Sequence, residues 1–237
     1  SIVYTSGTTG RPKGVMLTHD NLLWNAFYAS QCTDFDPHEV FLSFLPMSHT
    51  LERTGGYYLP MLIGAEVAYA RSIAQLAQDL QTIRPTVLIS VPRIYERMYG
   101  RIQDSLEKKG LLARQVFKLA VQVGWRRFEL SQGRARWSPE LLLWPRLEKR
   151  VSSNITEKLG GRLKLAISGG AALSPEIAHM FIGLGVPIIQ GYGLTETSPV
   201  VCVNRPESNI PSSIGPPLPG IEVKIGDNDE LLTRSRC

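Results

Sequence analysis

Residues 163–190 read LKLAISGGAALSPEIAHMFIGLGVPIIQ, and this stretch decides the fold class. It opens on a nearly continuous apolar run (163–168), breaks at Gly169-Gly170, and closes on a second apolar run (186–190). Between them, Ser174-Pro175-Glu176 offers a helix start: a capping hydroxyl, a proline for the first turn and an acid near the positive helix end. Runs that stay apolar without alternating suit strands buried on both faces, the habit of parallel sheets covered by helices. Strand, capped helix, strand is the expected unit, and it points to an α/β layered domain.

The pattern extends in both directions. Further strands are expected at 2–5, 15–18, 40–45, 66–69, 87–91 and 221–225. Asp20 is placed to cap a helix over 21–30, and Ser72 another whose apolar face is Ile73, Leu76, Ala77 and Leu80. Residues 93–160 break the alternation and read almost wholly as helix, with Leu112, Val116, Leu119, Ala120 and Val123 as an apolar stripe. Gly133 and Ser138-Pro139 mark a break inside that stretch, and Gly160-Gly161 ends it. The proline-rich residues 204–220 read as loop.

With 237 residues, 43% hydrophobic and 20% charged, the chain has material for a sizeable core. That composition excludes a collagen, a disulfide scaffold and an intrinsically disordered chain. No run approaches the roughly 18 apolar residues of a membrane-spanning helix. Cys32, Cys202 and Cys237 fall in no paired spacing, which favours free thiols in a reducing compartment and a cytoplasmic location. The chain opens inside a strand-like run and stops without a cap, so a piece of a longer protein is the expectation.

The net charge of +5 is unevenly spread. Residues 1–92 carry 5 Lys and Arg against 7 Asp and Glu, residues 93–164 carry 17 against 7, and residues 165–237 carry 4 against 7. The surplus therefore belongs to the helical segment. No nucleic-acid motif accompanies it, so no nucleic-acid partner is expected. Its cations either face water along a solvated helix or form a surface that docks peripherally on anionic membrane through residues 93–164. Arg126, Arg127, Arg134, Arg136, Lys149 and Arg150, with Trp125, Trp137 and Trp144 among them, suit the second reading.

Four segments carry chemistry. The first is Tyr4-Thr5-Ser6-Gly7-Thr8-Thr9-Gly10-Arg11-Pro12-Lys13-Gly14. Backbone amides and hydroxyls in such a loop can converge on an oxyanion, with the Lys13 charge beside them. Pro12 and Gly14 stand where a Walker loop needs glycine and a hydroxyl, so it is not one. The second segment, Gln190-Gly191-Tyr192-Gly193-Leu194-Thr195-Glu196-Thr197-Ser198, follows a strand, where open α/β sheets bind ligands. Tyr192 offers a flat face for a base or plain packing; Glu196 is a hard-oxygen ligand for a divalent cation or a solvated acid. The third, Ser168-Gly169-Gly170-Ala171-Ala172, lets a ligand approach the backbone. Ala166 rules out a nucleophile elbow there. The fourth, Leu45-Pro46-Met47-Ser48-His49-Thr50-Leu51-Glu52-Arg53, places a histidine after a strand, as a site residue or a structural one.

In this order the segments resemble the adenylate-forming superfamily of acyl-CoA synthetases, luciferases and peptide-synthetase adenylation domains. YTSGTTGRPKG and QGYGLTETSP carry the likeness, which spans residues 1–226. LPMSHTLER, VPRIYERM and the long helical stretch are similar to the long-chain fatty-acid–CoA ligases. The resemblance implies a layered αβαβα-type large domain, incomplete here, with a mainly helical insertion at 93–160. It implies a non-native tail at 227–237 and a small C-terminal domain lying outside this stretch, so the stretch alone is expected to have little or no ligase activity.

The implied reaction joins a fatty acid to ATP, releasing pyrophosphate, and coenzyme A then displaces AMP from the acyl-adenylate. By resemblance, Thr5, Ser6, Gly7, Thr8, Thr9, Gly10 and Lys13 embrace the β- and γ-phosphates. Thr8 also lies near Mg2+, which Glu196 ligates. Gly170 and Ala171 line the adenine pocket and Tyr192 stacks on the base, with Gly193 beside it. Gln190 and Gly191 contact the nucleotide or acyl carbonyl, Thr195 the α-phosphate, and His49 borders the adenylate and acyl tunnel. Arg53 stands where some relatives carry an aromatic gate, and Asp229 and Ser235 where the family has glycine. Another carboxylic acid, or a non-catalytic nucleotide-binding module, are the competing readings.

Overall fold

The chain opens on an antiparallel hairpin, β1 (Ile2–Thr5) and β2 (Lys13–Met16), in which Thr5 stands opposite Lys13. A computed structural model gives this and all that follows, and it describes residues 1–5 and 11–237. Helix α1 (His19–Ser30) comes next. Its cap is Thr18 rather than Asp20: Thr18 is extended, its hydroxyl accepts from Asn21 N at 3.0 Å, and Asn21 Oδ1 accepts from Thr18 N at 2.8 Å. That reciprocal pair satisfies two orphan donors, which Asp20 inside the first turn does not. Asp20 instead pairs with Arg236.

Strands β3 (Val40–Ser43), β4 (Glu66–Tyr69), β5 (Val87–Ser90), β6 (Leu165–Ser168), β7 (Ile188–Gly193) and β8 (Val200–Val203) form one six-stranded sheet, in the order β4-β3-β5-β6-β7-β8. The first five are parallel, as the unbroken apolar runs require; β8 returns antiparallel at the edge. β8 was not among the expected strands. After β3 the chain steps out to β4, then returns to lay β5 on the other side of β3. The carboxyl ends of β3 and β5 thus flank a topological switch point, where such sheets bind ligands.

Successive side chains alternate faces, and two helical layers divide them. Leu42, Leu88, Ala166 and Ile188 point into the larger core. There they meet α4 (Leu76–Ile83), α5 (Pro92–Glu107), α6 (Leu111–Ser131), α7 (Trp144–Leu147), α8 (Ser153–Thr156) and α9 (Pro175–Gly183). Phe41, Val87 and Ile89 point the other way, against Leu59 and Leu51. On that face a short helix, α2 (Thr50–Glu52), runs through a π-helical segment, Arg53–Tyr58, into α3 (Leu59–Ile63). Leu165 and Ile189 share a cluster with Trp24 and Tyr28 of α1.

Helix α4 begins at Leu76, not at Ser72. Ser72 Oγ accepts from Gln75 N in a preceding turn, and Ile73 stays exposed. The 93–160 stretch is helical with its break near Gly133, and Gly160 and Gly161 end it at positive φ. Of its apolar stripe, Ala120 and Val123 are buried, whereas Leu112 and Leu119 are exposed. Helices α6 and α9 cross where Gly124 meets Gly183. The basic surface is partly spent internally: Trp144 is buried under Arg127, Arg126 pairs with Glu140, and Arg134 with Glu129. The final residues form a separate hairpin, β9 (Glu222–Ile225) and β10 (Leu231–Arg234), rather than a strand of the main sheet. Beyond it, the Arg236 carbonyl accepts from Asn21 on α1. All three cysteines are free thiols, and no helix among the described residues is long and apolar enough to cross a membrane.

Candidate active site

A cavity of about 730 Å³ opens at the carboxyl ends of β5, β6 and β7. Its floor is apolar, built from residues such as Phe35, Leu45, Leu51, Leu59, Ile89 and Ile167. Its rim collects residues expected from sequence: Thr5, His49, Gly170, Tyr192, Thr195 and Glu196 line it, as do Gly191 and Gly193. Lys13, Ala171 and Gln190 do not line it. Ser6, Gly7, Thr8, Thr9 and Gly10 lie outside the described residues.

Hairpin register places Lys13 beside Thr5, and β2 runs next to the 3-10 turn Thr195–Thr197. Two hydroxyls and the Glu196 carboxylate therefore line the mouth, with Lys13 on the neighbouring strand just outside it. Lys13 and Glu196 are exposed and enter no ion pair among the described residues. Gly193 sits against the Pro199 carbonyl so closely that a Cβ would overlap it. The turn bearing Thr195 and Glu196 is thereby held flat on β8. Asn25, buried on α1, adds a second hold: its amide donates to Val200 O at 2.8 Å and its carbonyl accepts from Val200 N at 3.1 Å. Nothing in the sequence marks an asparagine inside a helix as such a clamp.

Gln190 is occupied elsewhere. Its Oε1 accepts from Leu173 N at 2.8 Å, its Nε2 donates to Pro211 O, and its backbone carbonyl accepts from Asn204 N. The side chain ties the glycine loop after β6 to the loop near Pro211, and leaves the cavity wall to Gly191 and Tyr192.

Sequence reasoning also passed over Glu52. It lines the cavity, is fully buried, accepts a hydrogen bond from Ser43 Oγ through Oε1, and leaves Oε2 without a partner among the described residues. Burial pushes its pKa up to about 7, against the opposing Ser43 hydrogen bond. A Cβ at Gly56 would overlap Oε1, so the glycine four residues on makes room for the carboxyl. The π-helical segment that follows, a form enriched at functional sites, begins at the next residue.

Among the described residues no three His, Cys, Asp or Glu side chains converge as a metal site. A lone exposed carboxylate beside hydroxyls and a lysine fits Mg2+ in its usual form, held by one or two carboxylates together with substrate phosphates and water.

Fold and cavity define an open α/β domain with a cavity at the carboxyl ends of its parallel strands, beside the switch point. The profile of the AMP-binding enzyme family matches residues 1–234, and the chain belongs to that family. It is 36% identical over 235 residues to long chain acyl-CoA synthetase 7, peroxisomal, of Arabidopsis thaliana, covering 98% of this chain and 32% of that protein. It is 32% identical over 237 residues to a fatty-acid–CoA ligase, fadD11, of Mycobacterium tuberculosis, covering 99% of this chain and 42% of that one. Among solved structures, ATP-bound MatB from Rhodopseudomonas palustris matches with a TM-score of 0.65 at 25% identity, over 98% of this chain and 36% of that one. The chain thus spans about a third to two fifths of the relatives it matches.

Proposed function

We propose that these residues form the nucleotide- and acyl-binding part of an AMP-forming long-chain fatty-acid–CoA ligase. The observation that carries this is the cavity itself, in which one mouth of Thr5, His49, Thr195 and Glu196 opens onto a long apolar floor. A fatty acid fits with its chain on that floor and its carboxylate at the polar rim. A carboxylate oxygen then attacks the α-phosphorus of ATP, pyrophosphate leaves, and the thiol of coenzyme A displaces AMP from the resulting acyl-adenylate. The carboxylate is already ionised at neutral pH, so positioning and charge neutralisation do most of the work.

In this reading Lys13 and Thr195 hold phosphate oxygens, and Tyr192 presents its ring to the adenine across Gly170 and Ala171. Glu196 holds Mg2+ together with the phosphates, the ion serving to neutralise their charge. Gly191 and Gly193 keep the backbone low enough for the nucleotide to lie close. Thr5, Ser6, Gly7, Thr8, Thr9 and Gly10 wrap the β- and γ-phosphates, with Thr8 near the ion. A long acyl chain, rather than an aryl or amino acid, suits the floor because its walls are aliphatic and aromatic with few polar groups.

Glu196→Ala is expected to weaken Mg-ATP binding about tenfold or more, as loss of a charge-assisted ligand does. Titration calorimetry on the chain with Mg-ATP, and with ATP in chelator, reads this. Identical isotherms for variant and wild type would remove Glu196 from the metal site. The acid is tested by ATP–pyrophosphate exchange with the full reading frame containing these residues. Exchange driven by benzoate or amino acids but not by palmitate would overturn the long-chain reading.

A further inference from the structure

On the opposite face of the sheet from the cavity, α4, α5, α6 and α8 leave a groove of about 820 Å³ between them. Helices α5 and α6 follow one another through Gly110, and both line the groove. Met98, Ile102 and Leu106 are spaced by one helical turn and line one wall; Ala113, Val116 and Phe117 line the other. Leu80 and Ile155 make the floor, both buried in the main core. Leu112 at the edge is 75% exposed, an apolar side chain with no cover.

The rim has one sign of charge. Arg101, Lys109, Arg150 and Lys158 stand around the groove, all exposed and none in an ion pair among the described residues. Among the described residues no Asp or Glu lines it. Arg114 turns its guanidinium back onto the carbonyls of Leu106 and Glu107, so it adds nothing to the rim. A concave apolar trough within the usual ligand-pocket range, ringed by unpaired cations, matches one kind of small molecule: a single apolar chain ending in an anion. A bilayer would need a flat or convex face, and two of the three tryptophans expected to supply one are committed inside the fold, Trp144 in the core and Trp125 against His179.

We propose that this groove is a second acyl site, which takes a long-chain carboxylate with its chain along Met98, Ile102 and Val116 and its head among Arg101, Lys109, Arg150 and Lys158. The choice of a fatty acid rests on the proposed ligase reading; the groove and its charge stand without it. Because the groove and the cavity lie on opposite faces, occupancy of one leaves the other open. The site would hold the acid, or the acyl product, away from the reacting atoms.

The probe is a fatty acid bearing a photoreactive diazirine on its chain, crosslinked to the chain and mapped by peptide mass, with cis-parinaric acid for affinity. Crosslinks are expected in peptides covering 98–117 and 150–158, in addition to those lining the cavity. The double charge reversal Arg101→Glu with Lys158→Glu is expected to abolish the groove crosslinks and weaken the corresponding parinarate phase about tenfold, leaving Mg-ATP binding and the cavity crosslinks unchanged. Both substitutions are on exposed side chains, and an unaltered melting curve confirms folding. Crosslinks confined to the cavity would overturn the proposal while leaving the ligase reading intact. Crosslinks in the groove with no palmitate-driven ATP–pyrophosphate exchange by the full reading frame would keep the groove and overturn the ligase reading. Groove cations that matter only for sedimentation with phosphatidylglycerol vesicles, with no effect on free carboxylate, would replace the proposal with membrane docking.

Discussion

Gly124→Ala is expected to destabilise the chain by about 4 kcal/mol, near the top of what one methyl group does. Alanine is ordinarily the better helix residue by roughly 1 kcal/mol, so propensity alone predicts the opposite sign. Packing decides the matter. A Cβ at Gly124 would overlap the Gly183 carbonyl oxygen and stand 2.5 Å from the Trp144 ring, while one at Gly183 would meet Val121 O at 2.6 Å. Backbone lies on both sides of the crossing, so relief requires α6 and α9 to move apart, which opens the larger core. For a domain of this size the loss corresponds to a fall in melting temperature on the order of 10 °C. Gly100→Ala supplies the control. Gly100 lies within α5, where a Cβ would meet nothing within 4 Å. That change should stabilise by about 0.5–1 kcal/mol. Equal melting temperatures for the two variants would show that the helices do not cross at these glycines.

Glu52→Gln is expected to change the pH dependence of stability more than any other carboxyl substitution near the cavity. The wild-type carboxyl titrates at about 7 in the fold against an ordinary 4.5. The folded chain therefore holds a proton that the unfolded chain has lost between those values, and stability falls as pH rises from about 4.5 to about 7. At about 1.4 kcal/mol per unit over this span, the fall comes to about 3.5 kcal/mol. Glutamine stays neutral and still accepts from Ser43, so the variant lacks this decline. Urea denaturation at pH 5 and pH 8 reads the difference: the variant should gain about 2.5 kcal/mol on the wild type between those conditions, the rest of the decline lying below pH 5. Parallel behaviour of the two across that range would mean that the Glu52 carboxyl is not held neutral by burial.

Both predictions concern features the sequence does not advertise, and the reasons are instructive. The parallel strands were legible because burial on two faces leaves unbroken apolar runs at 40–45, 87–91 and 163–168, and the structure places β3, β5 and β6 there. β8 escaped notice although Val200-Val201-Cys202-Val203 is just as apolar. It lies between a site motif and a proline-rich stretch, and only its pairing with β7 distinguishes it from loop. The cap of α1 was placed two residues late because Asp20 is as good a capping type as Thr18, and local geometry chooses between them. Gly170, Gly191, Tyr192, Gly193, Thr195 and Glu196 meet at one cavity because topology puts strand ends on one edge, whereas Ala171 and Gln190 of the same motifs do not line it. Glu52 shares its segment with His49, yet the histidine is the exposed one and the acid is buried. Burial belongs to the assembled layers, and no spacing along a chain reports it.

The Gln190 amide has a consequence for how the cavity responds to a ligand. It joins Leu173, in the loop after β6, to Pro211, in the stretch after β8, and its own backbone accepts from Asn204. Segments far apart in sequence are therefore fixed to one another before anything enters. A molecule arriving at the mouth meets a frame already rigid there, and the entropy of arranging those loops has been lost during folding rather than at binding. On the proposed reading, selectivity at this edge comes from the shape of loops tied together before the ligand arrives.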